Sequence, residues 1–184
     1  MTRIFLTLAM AGTVLIGIAF VLGLNIDDPM SRDLAVQDSV SKHMMTGLAG
    51  LVFAALVHAI VFTYFMGTGR WIEETSRAYR LPEETHKQNQ SLKYRLMPGM
   101  TGAIVLLVVT GALGGATDPA SPVEFHGWLG MNSATTHLVV GVLTIVANLA
   151  VHLHEFRSIE RNGELIEGIM AEVKRIREEK GLPV

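Results

Sequence analysis

The chain has 184 residues, a formal net charge of −2 and no cysteine. That length holds one compact unit, and the near-neutral balance offers no basic footprint for nucleic acid. The missing thiols exclude disulfides, Cys-ligated iron–sulfur clusters, thiol catalysis and covalently attached c-type haem, so any cofactor must be held by histidine, methionine, carboxylates or packing. Hydrophobic residues make up 49% of the chain and are gathered in blocks, the pattern of a multispanning membrane protein.

The first block runs from Ile4 to Leu24, after Arg3. A signal peptide opens in the same way, but the run is long for one and no small-x-small cleavage site follows, so a retained helix is expected. A polar loop with Asp27, Asp28 and Pro29 leads to Ser39 and Ser41, candidate N-caps for a second helix whose apolar block spans Met44 to Met66. Gly67 and Gly69 are expected to interrupt that helix, and Trp71 suits an interfacial anchor. The charged stretch 70–97 reads as two helices broken at Leu81-Pro82, with Glu83 and Glu84 in a new first turn; an irregular loop is the alternative.

Pro98 is expected to open the third block, Gly99 to Ala116. The loop to Thr136 carries Asp118-Pro119, His126 and Trp128, with a short interfacial helix expected over Val123 to Met131. The fourth block covers Ala134 to Leu153. Beyond it Ile166, Ile169, Val173 and Ile176 form the seam of an amphipathic helix that ends before Gly181 and is expected to pack on the charged hairpin or on a partner. The expected fold is therefore all-α. It is a polytopic membrane bundle over 1–156 with four transmembrane helices (about 4–24, 44–66, 99–116 and 134–153), a cytoplasmic hairpin over 70–97, and a cytoplasmic C-terminal helix over 157–184. Lysine and arginine crowd the 70–95 segment and the tail, whereas the opposite loops hold only Arg32 and Lys42. The positive-inside rule then places both termini in the cytoplasm, in a bacterial inner membrane.

The halves resemble each other. Met10-x-Gly12 and Asp28-Pro29 recur at an offset of ninety as Met100-x-Gly102 and Asp118-Pro119. After a small insertion, Ser39, His43, Val52, Val57, His58 and Phe62 recur as Ser133, His137, Val146, Val151, His152 and Phe156. Gly69, Ile72 and Glu73 follow as Gly163, Ile166 and Glu167. Two hairpins in one orientation imply a two-fold axis along the membrane normal. His43 would then lie level with His137, and His58 with His152.

Fifteen residues separate the histidines of each pair, a rise of about 22 Å with an angular offset of about 60°, so each helix would offer two imidazoles on one side. Ionisable side chains within a membrane are functional hypotheses by default. Taken singly, His43, His137 and His154 suit an interfacial role, His126 with Trp128 suits an interfacial loop, and His86 suits a solvated one. His58, well inside the second block, must hydrogen-bond across helices or bind something.

With its His43-x14-His58 and His137-x14-His152 pairs, the chain resembles the four-helix dihaem core of cytochrome b-type membrane proteins. That resemblance covers the four helices alone, and implies one or two b-type haems whose iron is held by His43, His137, His58 and His152. It also implies porphyrin room at Gly12, Gly17 and Gly23 on the first helix and at Gly102, Gly111, Gly114 and Gly115 on the third. Close helix packing is the alternative use of those glycines. The stretch Phe62-Thr-Tyr-Phe-Met-Gly-Thr-Gly-Arg-Trp71 resembles a bacterial integral-membrane family, which implies no activity.

The expected function is membrane electron transfer with a redox protein or quinone as partner. One alternative is a cofactor-free scaffold or assembly subunit, forming homo- or hetero-oligomers through its C-terminal helix. The other is a small transporter or proton path, which the expected lack of a buried carboxylate disfavours. No Ser–His–Asp set, phosphate loop or HExxH pattern marks a hydrolase.

Overall fold

A computed structural model describes residues 1–118 and 120–183. Its four helices are α1 (Thr2–Leu24), α2 (Leu34–Tyr79), α3 (Glu83–Thr117) and α4 (Ser133–Glu179), with no strand among the described residues. All four contain a stretch long and apolar enough to cross a membrane. Pro119, in the second Asp-Pro pair, and Val184 lie outside the described residues.

The helices run further than their apolar blocks suggest. α2 and α4 have 46 and 47 residues, about 70 Å each and more than twice the roughly 30 Å of a bilayer core. α2 starts earlier than Ser39 or Ser41 because Asp33 caps it, its carboxylate accepting from the Ala35 N–H at 2.8 Å. Gly67 and Gly69 do not interrupt it. Glycine lowers helix propensity by about 1 kcal/mol but removes no hydrogen bond, so tertiary packing carries the helix through. Gly69 is used for close approach, since a Cβ there would lie 2.8 Å from Asn89 Oδ1.

Pro98 likewise does not open α3 but lies within it. Only one backbone donor is lost there, and packing on both sides preserves the helix. The fourth apolar block and the C-terminal amphipathic stretch form one helix, α4, so 157–184 is no separate element. The segment Val123 to Met131 is a looped connection rather than a short helix. Its positive φ angles at Gly127, Leu129 and Gly130 forbid a helical run. The break at Leu81-Pro82 is as expected: Arg80 adopts the left-handed conformation, Leu81 N–H bonds to Ser76 O at 2.9 Å, and α3 begins with Glu83 and Glu84.

The helices pack as a ring. α1 lies against α2 and α4, α3 lies against α2 and α4, and α2 and α4 meet across the diagonal. Phe5 and Ala9 from α1, Val57, Val61 and Phe65 from α2, Leu96 and Met100 from α3, and Ile159 from α4 form one buried cluster. Large apolar side chains such as Ile18, Val52, Val108 and Val146 point outward around the same stretches. Past this level α2, α3 and α4 continue as a charged extension with exposed i,i+4 ion pairs, including Arg70–Glu74 and Lys87–Glu83. The Ile166–Ile176 seam turns inward there, with Ile169 buried, and Arg177 donates to the Tyr79 hydroxyl at 3.1 Å. A polar layer opens the extension: Asn89 Nδ2 donates to Asn162 Oδ1 at 2.6 Å, and Asn162 Nδ2 to Thr68 Oγ1 at 3.0 Å.

Arg80 is exposed, makes no ion pair among the described residues, and holds φ at 56°. A left-handed conformation costs an L-residue about 1 kcal/mol that glycine does not incur. Arg80→Gly is expected to stabilise the protein by about 1 kcal/mol, read as a higher unfolding midpoint in detergent.

Candidate functional site

The inward face of α4 is polar along most of its length. Thr136, Thr144, Asn148, His152, Glu155, Ser158 and Asn162 are all buried and recur at steps of three, four or eight residues. Three of the equivalent positions of α2, ninety-four residues earlier, are small or apolar: Gly50, Ala54 and Val61 correspond to Thr144, Asn148 and Glu155. Three pairs related by that offset touch across the diagonal: His43 with His137, His58 with His152, and Thr68 with Asn162.

The outer level is the His43–His137 pair. Its ring centroids lie 6.1 Å apart with planes at 79°. His43 Nδ1 bonds to the Ala19 carbonyl of α1 at 2.8 Å, which makes Nδ1 the protonated nitrogen and leaves the lone pair on Nε2. Its ring lies over Gly23, where a Cβ would come within 2.8 Å of His43 Cε1. His137 lies on α3 in the same way: a Cβ at Gly114 would be 3.1 Å from its Cε1. The buried His137 Nδ1 has no hydrogen-bond partner. Gly23 and Gly114 thus give room to the imidazoles. Gly17, Gly102 and Gly115 have no neighbour within 4 Å of a built Cβ, whereas Gly12 packs against Phe53 and Gly111 against Leu51.

The inner level is built differently. The His58 and His152 rings stack, with centroids 4.9 Å apart and planes at 26°. A single carboxylate joins them. Glu155 Oε1 lies 2.7 Å from His58 Nδ1, and Oε2 lies 2.8 Å from His152 Nδ1. Asn148 Nδ2 donates to the Thr144 carbonyl at 2.8 Å, which turns Asn148 Oδ1 toward His58 Nε2 at 3.0 Å. His58 Nε2 must therefore carry a proton. His58 Nδ1 and Glu155 Oε1 then face each other as a nitrogen lone pair and an anionic oxygen unless a positive charge lies between them. The metal-free network needs one proton there, held by either partner. Above it the Thr110 and Thr144 hydroxyls meet at 2.6 Å, and at its edge Phe5 meets His152 edge-on at 5.8 Å.

All four predicted histidines are brought together in the predicted pairs, and His58 is wholly buried. The expected absence of a buried carboxylate is overturned, because Glu155 is 0% exposed. The sequence signal for it was the three-residue step from His152, which places Glu155 on the same helical face. Asn148 follows from the four-residue step in the other direction. His154 and His126 are exposed, as expected, whereas His86 is half-buried with its Nε2 on the Gln90 amide at 2.7 Å.

No family model, curated protein or solved structure matches this chain.

Removing one member of a buried ion pair strands the other. Glu155→Ala is expected to destabilise the protein by about 3–5 kcal/mol. The isosteric Glu155→Gln can donate to His58 Nδ1 and accept from His152 Nδ1, so it loses the charge but not the contacts and should cost no more than about 1 kcal/mol. Unfolding of the two variants in detergent measures the difference.

Proposed function

We propose that the protein is a membrane-embedded electron-transfer protein that holds one b-type haem between His43 and His137. The carrying observation is the outer pair itself: two imidazoles from diagonally opposed helices, 6.1 Å between centroids and nearly perpendicular. Two metal–nitrogen bonds of about 2 Å put opposed nitrogens about 4 Å apart, and the ring radii bring the centroids to about 6 Å. The bond from His43 Nδ1 to the Ala19 carbonyl fixes the tautomer and leaves the Nε2 lone pair available, the usual support for a metal-ligating imidazole. The unpartnered His137 Nδ1 marks the second ring as one whose bonding is incomplete in the chain alone. Gly23 and Gly114 let both rings approach the axis. The bound haem would supply a one-electron redox change, while the chain supplies ligation, orientation and a dry surround.

The inner level fits this chemistry poorly. Its stacked rings leave no gap for a porphyrin, and His58 has both nitrogens engaged. The reading is thus one haem rather than two. It includes four membrane spans derived from a duplicated hairpin, in a bacterial inner membrane, with the basic extension and both termini in the cytoplasm. The outward apolar girdle and the ion-paired surface of the extension support that placement. A redox protein or quinone would exchange electrons near the outer level, and the α4 end offers a contact for oligomers.

Reduced-minus-oxidised spectra test the reading. Protein made with haem available is expected to show b-type bands that vanish or turn high-spin in His43→Ala and His137→Ala and persist in His58→Ala. Folded protein without such bands would sink it.

A second reading, a proton path, draws on one observation: the buried polar stripe of α4 centred on Glu155. Proteoliposomes would then show proton flux that Glu155→Gln abolishes; flux equal to that of empty vesicles removes this reading.

A further inference from the structure

We infer that the inner level is a binding site for a divalent first-row transition-metal ion, ligated by His58 Nδ1, His152 Nδ1 and the Glu155 carboxylate. The three ligand atoms lie within 4.8 Å of one another, and all three residues are buried. The inference is independent of the haem reading, which concerns the outer pair.

Hydrogen-bond accounting leads to it. Asn148 is oriented by the Thr144 carbonyl and so requires a proton on His58 Nε2. A neutral His58 then has its lone pair on Nδ1, aimed at Glu155 at 2.7 Å. One positive charge fills that gap, a proton in the metal-free protein or a bound metal ion in its place. A metal ion meets the requirement and makes the His58–Asn148 bond the outer support that ligating imidazoles ordinarily have. His152 has its own Nδ1 on the other carboxylate oxygen at 2.8 Å, so both rings present the same nitrogen to one centre.

The change needed is small. Ligand bonds of about 2.0–2.1 Å in tetrahedral array set neighbouring ligand atoms about 3.4 Å apart, an opening of about 0.6 Å at the two carboxylate contacts, with the histidine nitrogens now within 4.8 Å of each other. Imidazole and carboxylate donors without thiolate suit Zn²⁺ or Fe²⁺. Three protein ligands leave a fourth position open, and His152, 8% exposed, gives the site an edge toward the surface. The asymmetry of the two halves serves this site: Glu155 and Asn148 stand where α2 has Val61 and Ala54.

The test uses full-length, untagged protein in detergent, stripped with chelator and titrated with Co²⁺ as spectroscopic probe and then with Zn²⁺ in competition. The expected result is one Co²⁺ per chain with ligand-field absorption, displaced by Zn²⁺. Stoichiometric binding should be lost in Glu155→Gln and His58→Gln, kept in His43→Ala, and weakened about 10–100-fold in Asn148→Ala. Melting curves of the stripped proteins identify variants that remain folded. Three outcomes overturn the inference: no stoichiometric Co²⁺ binding by the folded wild-type protein, binding unchanged in a folded Glu155→Gln protein, or a second haem lost in His58→Ala.

Discussion

One carboxylate governs the interior of this protein. Glu155 is shut away from solvent, and its two oxygens each take an imidazole nitrogen, one from α2 and one from its own helix. A buried charge is tolerated only when it is paired and hydrogen-bonded. The rotation of α4 about its axis is therefore not free. Turning it away from the bundle centre would expose the carboxylate to lipid-like surroundings and strand His58 without a counter-charge. With that rotation set, Thr144, Asn148, Ser158 and Asn162 face inward as well, and His137 is delivered to His43 at the other end of the same face.

The two histidine levels of the bundle are built unequally. His43 and His137 have matched surroundings: each ring lies over a glycine of the preceding helix. His58 and His152 share a partner that belongs to α4 alone. The outer level is near-symmetric and leaves lone pairs unused; the inner level is lopsided and consumes them in a network. Polar groups brought by one half against small or apolar groups of the other avoid the crowding that two copies of Glu155 would create. Like charges at that distance could not both ionise.

The pairing of histidines was legible in the sequence because it rests on spacing and offset, and both survive into the folded chain. The helix ends were less legible. Ser39 and Ser41 have capping chemistry, but Asp33 has it too and lies nearer the turn. Gly67, Gly69 and Pro98 weaken a helix locally, yet packing from neighbouring helices outweighs local propensity. Glu155 is not legible as a buried group because it lies just past the fourth apolar block, where a carboxylate ordinarily reaches water. Its neighbours Ser158 and Asn162 continue the same face, so the periodicity of polar rather than apolar residues held the information. The orientation of Asn148 depends on a backbone carbonyl that no sequence pattern displays.

The continuity of α2, α3 and α4 through the level where water would meet lipid has a mechanical meaning. None has a flexible joint there, since the glycines and the proline fall inside unbroken helix. α2 and α4 carry the facing imidazoles on their longer arms and stand with their shorter arms in the charged extension, with the Phe5–Phe65–Ile159 cluster between the two. Force applied to the far tip arrives at the histidines as tilt instead of being absorbed in a linker. The spacing of the facing rings is thus tied to the tilt of the same two unbroken helices in the extension.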